Sequence, residues 1–271
     1  MKTTGSEMYN FLSIGNDRYG VESFTLGSNG KTVSLQEALN NTIVPLCWAG
    51  SHKITLLNHC KEKNLKFYNL DSGYFGNGKT KHYKRISING FYDTGPIVNR
   101  PSDRLDKMDL KVKKFKRGSK IIIIPPDYKK ADAARIDPNI WFLNLVEELR
   151  QFTDRPIIKR ERPLGRDERL ISNNFSDMLS NDVYCVIGYQ SNALVESIIC
   201  GIPVISVGDS PVLTLYSDSI KDVESLANVD DDLRHRWLCH LSYRQFSNEE
   251  MRSGLAWECL STKSVAVGTR T

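Results

Sequence analysis

Short hydrophobic runs alternate with amphipathic stretches along most of the chain, which is the pattern of a fold in which strands and helices follow one another. Residues 121–124 are four consecutive isoleucines, and such a β-branched run predicts a strand that is buried on both faces of a parallel sheet. Residues 138–152 repeat apolar side chains every three or four positions from Ile140 to Leu149, which predicts an amphipathic helix. A further strand is predicted over residues 156–159.

The densest alternation is found in the stretch NDVYCVIGYQSNALVESIICGIPVISV. It predicts a buried strand over 183–187, a helix over 192–200 and a second buried strand over 204–207. Ser191 is suited to cap the start of this helix, and Gly201 to end it. A helix that starts at the carboxyl end of a parallel strand offers unpaired N–H groups and a positive dipole, so this segment predicts a phosphate site.

The first part of the chain repeats the same alternation less regularly. The sequence SLQE at residues 34–37 is a capping-box pattern that opens a helix. It is followed by a predicted strand over 43–48, a helix over 53–63 and a strand over 66–70. Residues 71–99 are rich in glycine, tyrosine and asparagine without clear periodicity, which predicts long loops and short strands.

These two blocks predict an α/β fold of two Rossmann-like units, with the N-terminal unit over residues 1–118 and the C-terminal unit over residues 119–271. The C-terminal block is expected to finish with two helices. The first of them is predicted over 230–246, and the last begins at Ser247, which forms a second capping-box pair with Glu250.

Length and composition agree with this organisation. A chain of 271 residues with 40% apolar residues can bury the core of one large or two medium domains. No apolar run approaches the ~20 residues that a membrane span needs, and the N-terminus lacks a signal-peptide pattern, so we expect a cytoplasmic protein without membrane contact. The six cysteines have no C-x-x-C spacing and lie mostly in apolar segments, which predicts buried free thiols and no structural metal.

Positive charge is concentrated in three places, at residues 107–120, 129–130 and 159–169. A basic cluster predicts either a solvated surface or a site for an anionic partner, and for residues 111–120 the solvated surface is the first interpretation. The third cluster is more informative. Its residues Lys159, Arg160 and Arg162 directly follow a predicted strand, where an open α/β sheet contacts its ligand.

The run SNALVESIICGIPVI resembles the donor-site motif of GT-B glycosyltransferases, and the resemblance is greatest to sialyltransferase-like and capsule-polysaccharide members. It covers the second half of the chain. The resemblance implies two Rossmann-like units that face each other across a cleft, with C-terminal helices that cross back to the first unit. The first unit would then bind the acceptor, and the second would bind the nucleotide-sugar donor.

The activity implied by this resemblance is metal-independent transfer of a sugar from a nucleoside diphosphate sugar to an acceptor hydroxyl, with the donor as co-substrate and no other cofactor. By position, Ser191 and Asn192 would contact the diphosphate, Glu196 the ribose hydroxyls, and Lys159 or Arg162 the phosphate charge. Helix N–H groups and basic side chains suit this role because they stabilise the departing diphosphate. The oligomeric state is left open.

Two further stretches, NLDSGYF and QFSNEEMRSGLAW, look similar to segments of uncharacterised bacteriophage proteins. Some phage glycosyltransferases attach sugars to hydroxymethylated DNA bases. The resemblance therefore makes DNA one acceptor to consider, and it would place a phage-encoded protein in the cytoplasm of its host.

A glycosyl transfer with inversion needs a general base near the acceptor hydroxyl. The first block offers His52, Asp71 and Asp93, and Asp71 is preferred because it ends a predicted buried strand and precedes a glycine that permits close approach of a substrate. Tyr74 and Phe75 follow, and aromatic side chains can stack on a sugar or a base. These residues predict an acceptor site.

Structural roles compete with each of these assignments. Helix capping alone accounts for Ser191, a turn accounts for His52 and Asp71, and core packing accounts for Tyr74 and Phe75.

Two other functions also stay open. One is a nucleotide-sugar epimerase on the same frame, and the other is a non-catalytic nucleotide or nucleic-acid binding module that uses the basic clusters.

Overall fold

The computed structural model describes residues 8–15, 20–50, 52–76, 82–127, 131, 135–160 and 175–261. They form two compact units. The first unit contains the described residues up to Asp93, the segment Val98–Met108 and the described residues from Trp237 onward. The second unit contains Thr94–Ile97 and the described residues between Asp109 and Arg236.

The described strands, in chain order, are β1 (Leu12–Ile14), β2 (Lys31–Thr32), β3 (Leu46–Ala49), β4 (Phe67–Ser72), β5 (Lys84–Ile88), β6 (Lys120–Ile124), β7 (Ile157–Lys159), β8 (Val183–Gly188), β9 (Val204–Ser206) and β10 (Gln245–Phe246). The described α-helices are α1 (Val21–Gly27), α2 (Leu35–Asn40), α3 (Lys53–Lys63), α4 (Asp103–Asp106), α5 (Pro138–Leu149), α6 (Phe175–Ser180), α7 (Asn192–Ile199), α8 (Asp231–Ser242), α9 (Asn248–Arg252) and α10 (Leu255–Ser261). Two 3₁₀ segments, Pro211–Thr214 and Ile220–Ser225, follow β9.

The sheet of the first unit has the strand order β10-β5-β4-β3-β1-β2. Strands β2, β1, β3 and β4 are parallel, whereas β5 and β10 extend the sheet in antiparallel pairing. The chain places β2 on one side of β1 and then crosses to place β3 on the other side. In an open α/β sheet, such a reversal leaves a crevice at the carboxyl ends of the two central strands, here β1 and β3.

The sheet of the second unit has the strand order β7-β6-β8-β9, and all of its pairs are parallel. Its order repeats that of the first parallel core, with the reversal now between β6 and β8. Every residue of β8 is buried, as expected for a strand covered on both faces. Leu145 and Leu149 of α5 pack with Ile121 and Ile123 on one face of this sheet. The predicted α/β class with Rossmann-like units is confirmed.

The sequence located most central elements, and the capping boxes at Ser34 and Ser247 are confirmed. The strand predicted over 43–48 begins only at Leu46, because the side chain of Asn41 accepts hydrogen bonds from the next backbone N–H groups in a turn. Strand β1 and helix α1 were not predicted, since each is too short for a periodic pattern.

The helix predicted over 230–246 is wrong at its C-terminal end. Helix α8 stops at Ser242, and the chain turns into β10, which pairs with β5. The buried side chain of Gln245 explains this change. Its Oε1 accepts hydrogen bonds from the N–H groups of Tyr74 at 2.6 Å and Phe75 at 3.3 Å, so it ties β10 to the loop after β4.

The C-terminal helices pack on the first unit, and the predicted return of the chain is confirmed. The ring of Trp257 in α10 lies 5.8 Å from the ring of Phe11 and 5.9 Å from that of Tyr68, measured between centroids. Arg104 is buried beside α9, where its guanidinium forms an ion pair with Glu250 at 2.6 Å.

The chain touches the second unit at Thr94–Ile97 and joins it again at Asp109, ahead of the predicted boundary at 118. The reason is local: the N–H groups of Lys113 and Lys116 donate to the carbonyls of Ile199 at 2.8 Å and Gly201 at 3.1 Å, which fixes this segment to the end of α7. The assignment of one unit to the acceptor and the other to the donor stays a prediction, as does the arrangement of the units across a cleft.

All six cysteines are free and buried, so the prediction of buried thiols is confirmed. None of the helices in the described ranges combines the length and the apolar character that crossing a lipid bilayer requires.

Candidate functional site

The helix start for which the sequence predicts a phosphate site lies at the carboxyl edge of the second sheet. Strand β8 ends at Gly188, and α7 begins four residues later, after Ser191. Oγ of Ser191 accepts a hydrogen bond from the N–H of Ala193 at 3.3 Å, so the predicted cap is confirmed. Gln190, directly before the cap, has a φ of 44°, a left-handed conformation that is uncommon for residues other than glycine. Strained backbone of this kind clusters at ligand sites.

Gly201 ends α7, as predicted, in a left-handed conformation with φ of 74°. The N–H of Gly201 donates to the carbonyl of Ile198 at 3.1 Å, and the N–H of Ile202 donates to that of Ser197 at 2.9 Å. This is the Schellman arrangement, which pairs the last carbonyls of a helix. The two ends of α7 are therefore fixed by different devices, a side-chain cap at the start and a glycine turn at the end.

Glu196 lies in the second turn of α7 and is half-buried. Burial raises the pKa of its carboxyl group, and the charge of Arg160 acts in the opposite direction. Among the residues that the structure describes, no hydrogen bond or ion pair satisfies this carboxylate. A half-buried carboxylate without a hydrogen-bond partner costs free energy. Glu196 is therefore suited to accept hydrogen bonds from a ligand.

The basic residues at the end of β7 point to opposite faces of the sheet, because side chains alternate along a strand. Nζ of Lys159 lies 2.8 Å from Oδ1 of Asn139 and 5.2 Å from the centroid of the Phe142 ring, so Lys159 turns toward α5. The guanidinium of Arg160 instead lies 3.8 Å from the ring centroid of Phe175 in α6, on the side of Glu196.

Lys159 therefore contacts α5, whereas Arg160 lies on the side of Glu196, and the phosphate contact expected of Lys159 stays a prediction. The strand alternation could have identified Arg160, had the end of β7 been known to one residue. Arg162, the other predicted phosphate contact, lies outside the described residues.

Asp71 lies at the carboxyl end of β4, as predicted, but between two cations. Its Oδ2 is 3.1 Å from Nζ of Lys53 and 3.1 Å from Nη2 of Arg85, and its Oδ1 accepts the N–H of Ser72 at 2.8 Å. Arg85 is itself buried, with its Nη1 donating to the carbonyl of Ser72 at 2.8 Å. The cluster balances a buried guanidinium with a carboxylate.

This environment argues against the predicted role of Asp71 as a general base. Burial acts to raise the pKa of Asp71, but the charges of Arg85 and Lys53 and the hydrogen bond from Ser72 outweigh it and hold the pKa well below its usual range. A carboxylate stabilised as an anion accepts a proton weakly, because an efficient base has a pKa near the working pH.

The same contacts predict that Asp71→Asn lowers the free energy of unfolding by about 1–3 kcal/mol at neutral pH, since buried Arg85 would lose its counter-charge. The depressed pKa makes this contribution complete above the unfolded value of about 3.9 and lost as the pH falls below it. Urea unfolding of both proteins at pH values of about 7 and 3 would measure the difference.

A matched control is Asp218→Asn, because Asp218 is exposed. We expect it to change the free energy of unfolding by less than about 0.5 kcal/mol. A difference between the wild type and Asp71→Asn that stayed constant across this pH range would contradict the ion-pair assignment.

His52, the other predicted catalytic residue, is exposed at the carboxyl edge of the first sheet. It directly precedes α3 in a left-handed conformation with φ of 60°, and its carbonyl accepts the N–H of Leu56 at 2.9 Å. Its side chain does not cap the helix. The backbone of His52 therefore forms the turn, and its imidazole remains available to a ligand.

Tyr74 and Phe75 do not form an acceptor platform. Their relative exposures are only 4% and 7%, so neither ring offers a free face to a sugar. The hydroxyl of Tyr74 accepts the N–H of Asp93 at 3.1 Å, and the ring of Phe75 packs in the core.

The sequence analysis did not identify Phe91. Its half-buried ring has its centroid 5.2 Å from Nζ of Lys53 and lies beside the Asp71 cluster.

Asp93, the third acid–base candidate, belongs to a second ion-pair cluster. Its Oδ2 lies 2.6 Å from Nε of Arg244 and 3.3 Å from Nε2 of His240, and its side chain is 14% exposed. Nδ1 of His240 accepts the N–H of Val98 at 3.1 Å. These contacts hold the loop after β5 on α8, which is a structural role. Within the described ranges, no three His, Cys, Asp or Glu side chains come close enough to hold a metal ion.

No protein-family model and no curated protein matches this sequence. Two solved structures to which the chain is similar come from KpsC of Thermosulfurimonas dismutans. The beta Kdo 2,4 transferase has a TM-score of 0.48 and 12% identity, and the alignment covers 86% of this chain and 90% of that chain. The beta Kdo 2,7 transferase has a TM-score of 0.48 and 15% identity, with 92% and 99% covered. At this level the likeness identifies neither a family nor a substrate.

Proposed function

We propose that the chain is a metal-independent glycosyltransferase that binds a nucleoside diphosphate sugar at the carboxyl edge of its second sheet. One observation carries the proposal. The strand order reverses between β6 and β8, and the helix that carries the SNALVESIICGIPVI motif begins directly after β8. A reversal of strand order and a capped helix start are two independent features of phosphate sites in α/β sheets, and here they coincide.

The donor diphosphate is proposed to lie at the start of α7. There the first turn of the helix, which begins after Ser191, presents the positive end of the helix dipole. Arg160 supplies the full positive charge in place of Lys159. Together these groups would stabilise the negative charge that develops on the departing diphosphate, which is the role that a divalent cation has in other transferases.

Glu196 is proposed to bind the ribose hydroxyls. Its carboxylate has the properties that such a contact needs, since it is half-buried, lies one turn from the helix start and has a raised pKa through burial. Hydroxyl donors from a ribose would satisfy the oxygens without bringing a second charge into the site.

We expect Glu196→Ala to weaken binding of nucleoside diphosphates about tenfold or more, because loss of one buried hydrogen-bonded carboxylate is worth roughly 1–3 kcal/mol. Isothermal titration with a panel of nucleoside diphosphates would measure this. Glu147→Ala is the matched control, because Glu147 is exposed on α5. An equal affinity of the Glu196 variant and the wild type would remove Glu196 from the donor site.

The transfer step is proposed to use His52 as the general base. The imidazole would take the proton of the acceptor hydroxyl while the hydroxyl oxygen bonds to the anomeric carbon and the bond from that carbon to the diphosphate breaks. Histidine suits this step because an imidazole nitrogen accepts a proton and histidine is the side chain that most often acts as a general base.

The acceptor is proposed only as a hydroxyl-bearing molecule. No feature of the described residues singles out a hydroxymethylated DNA base. Incubation of the protein with a panel of sugar nucleotides and candidate acceptors, followed by mass spectrometry, tests the activity as a whole. The proposed function would be refuted if the protein showed no nucleotide binding and no sugar transfer with any member of the panel.

A further inference from the structure

Residues 111–117, with the sequence KVKKFKR, form a basic strip in the second unit that the proposed donor site does not use. It carries five cations and no carboxylate, and these five charges equal the net charge of +5 of the whole chain. Lys111, Lys113, Lys114 and Arg117 are exposed, so four of the five charges face solvent within one short segment.

The backbone of the basic strip is fixed rather than solvated. Two of its N–H groups donate to carbonyls at the end of α7, and Nη1 of the buried Arg234 donates to the carbonyl of Lys113 at 2.9 Å. The guanidinium of Arg234 also lies 4.2 Å from the ring centroid of Phe115. A ligand that binds the basic strip would therefore meet a preformed row of charges, with little backbone entropy to lose.

Local carboxylates do not neutralise this row. None of the ion pairs in the part of the chain that the structure describes includes a cation of the basic strip. Asp231 pairs with Arg234 at 2.6 Å, and Asp182 accepts the N–H of Ser119 at 3.0 Å. The C-terminal dipole of α7 favours nearby cations, but it is equivalent to about half a charge and does not balance five.

Fixed like charges repel one another, so the basic strip costs stability unless an anion binds it. We propose that the basic strip binds the acidic groups of a linear anionic glycan. The identification of the ligand as a glycan rests on the proposed function, with the glycan carrying the acceptor hydroxyl. The preference for a polyanion rests on the charge pattern alone.

The side chains of the basic strip favour a glycan over the other polyanions. Single-stranded nucleic acid needs exposed aromatic rings on which bases stack, and the aromatic ring of this strip, Phe115, is half-buried under Arg234. Binding to a lipid surface is strengthened by apolar side chains that enter the bilayer beside the cations, and the strip exposes Val112 alone, at 40%. Four of the five cations are lysines, which act as point charges toward carboxylates.

The test measures binding of a fluorescent oligogalacturonate to the full chain, with a neutral maltooligosaccharide of equal length and an oligodeoxythymidylate as comparators. With five contacts, affinity for the acidic glycan should fall on the order of a hundredfold between about 50 and 200 mM salt. The strip variant carries Lys111→Gln, Lys113→Gln, Lys114→Gln and Lys116→Gln. These changes keep the backbone bonds, and we expect binding about tenfold weaker or worse at low salt.

The charge-matched control replaces four exposed lysines elsewhere, with Lys61→Gln, Lys63→Gln, Lys66→Gln and Lys221→Gln. It should bind the acidic glycan as the wild type does. Absence of glycan binding, binding of the oligonucleotide without the glycan, or equal losses in both variants would overturn the proposal. Nucleoside diphosphate titration of the strip variant separates the two hypotheses, because donor binding should persist when glycan binding is lost.

Discussion

Replacing His52 with asparagine is expected to lower the turnover number for sugar transfer by about 10²–10⁴-fold, the usual contribution of a general base. Asparagine is chosen because His52 has a φ of 60°, and asparagine adopts this left-handed conformation more readily than most residues. The change therefore removes the base while keeping the turn that begins α3. Steady-state rates across a range of pH, together with nucleotide titration, would measure it.

Comparison of turnover with binding separates a catalytic role from a structural one. If His52 is the base, the turnover number should fall in His52→Asn while nucleoside diphosphate affinity stays unchanged. His235→Asn is the matched control, since His235 is an exposed histidine of α8. A His52→Asn protein with full turnover would exclude His52 as the base.

Replacing Gly201 with alanine is expected to lower the free energy of unfolding by about 2–5 kcal/mol, the sum of a left-handed backbone cost and overpacking. A Cβ atom at this position would lie 2.1 Å from the carbonyl oxygen of Lys114, which is backbone and cannot turn aside. The φ of 74° adds strain for any L side chain. Urea unfolding followed by circular dichroism would give the difference.

The control for this change is Gly90→Ala. The nearest atom to its added Cβ would be the carbonyl oxygen of Tyr92 at 3.3 Å, and no left-handed φ opposes the substitution. We expect a change of less than about 1 kcal/mol. If both variants unfolded at the same urea concentration, the contact between Gly201 and the basic strip would not be a constraint on stability.

The sequence predicted the elements of the second unit well because they carry strong local signals. Four consecutive isoleucines admit few structures other than a buried strand, and the bounds of α7 follow from Ser191 and Gly201, which act through bonds to residues within four positions. Such signals are complete within a short window, so no knowledge of the rest of the chain is required.

Other parts of the fold depend on partners that are distant in the sequence. Gln245 lies where a helix was predicted, and it forms β10 because its side chain bonds the loop at Tyr74, 171 residues away. Residues 109–118 have no periodicity of their own and join the second unit through bonds to the end of α7. Helix and strand propensities depend on neighbouring residues, so they cannot predict either of these long-range contacts.

The candidate site divides in the same way. The residue types and spacing of the segment from Ser191 to Gly201 were sufficient to predict a capped helix start after a parallel strand, because capping and helix dipoles are local physics. Which basic residue faces that helix was decided only by the tertiary structure, since a shift of one residue along β7 exchanges the faces of Lys159 and Arg160. The role of Asp71 was likewise decided by Arg85 and Lys53, because a pKa depends on charges that only folding brings together.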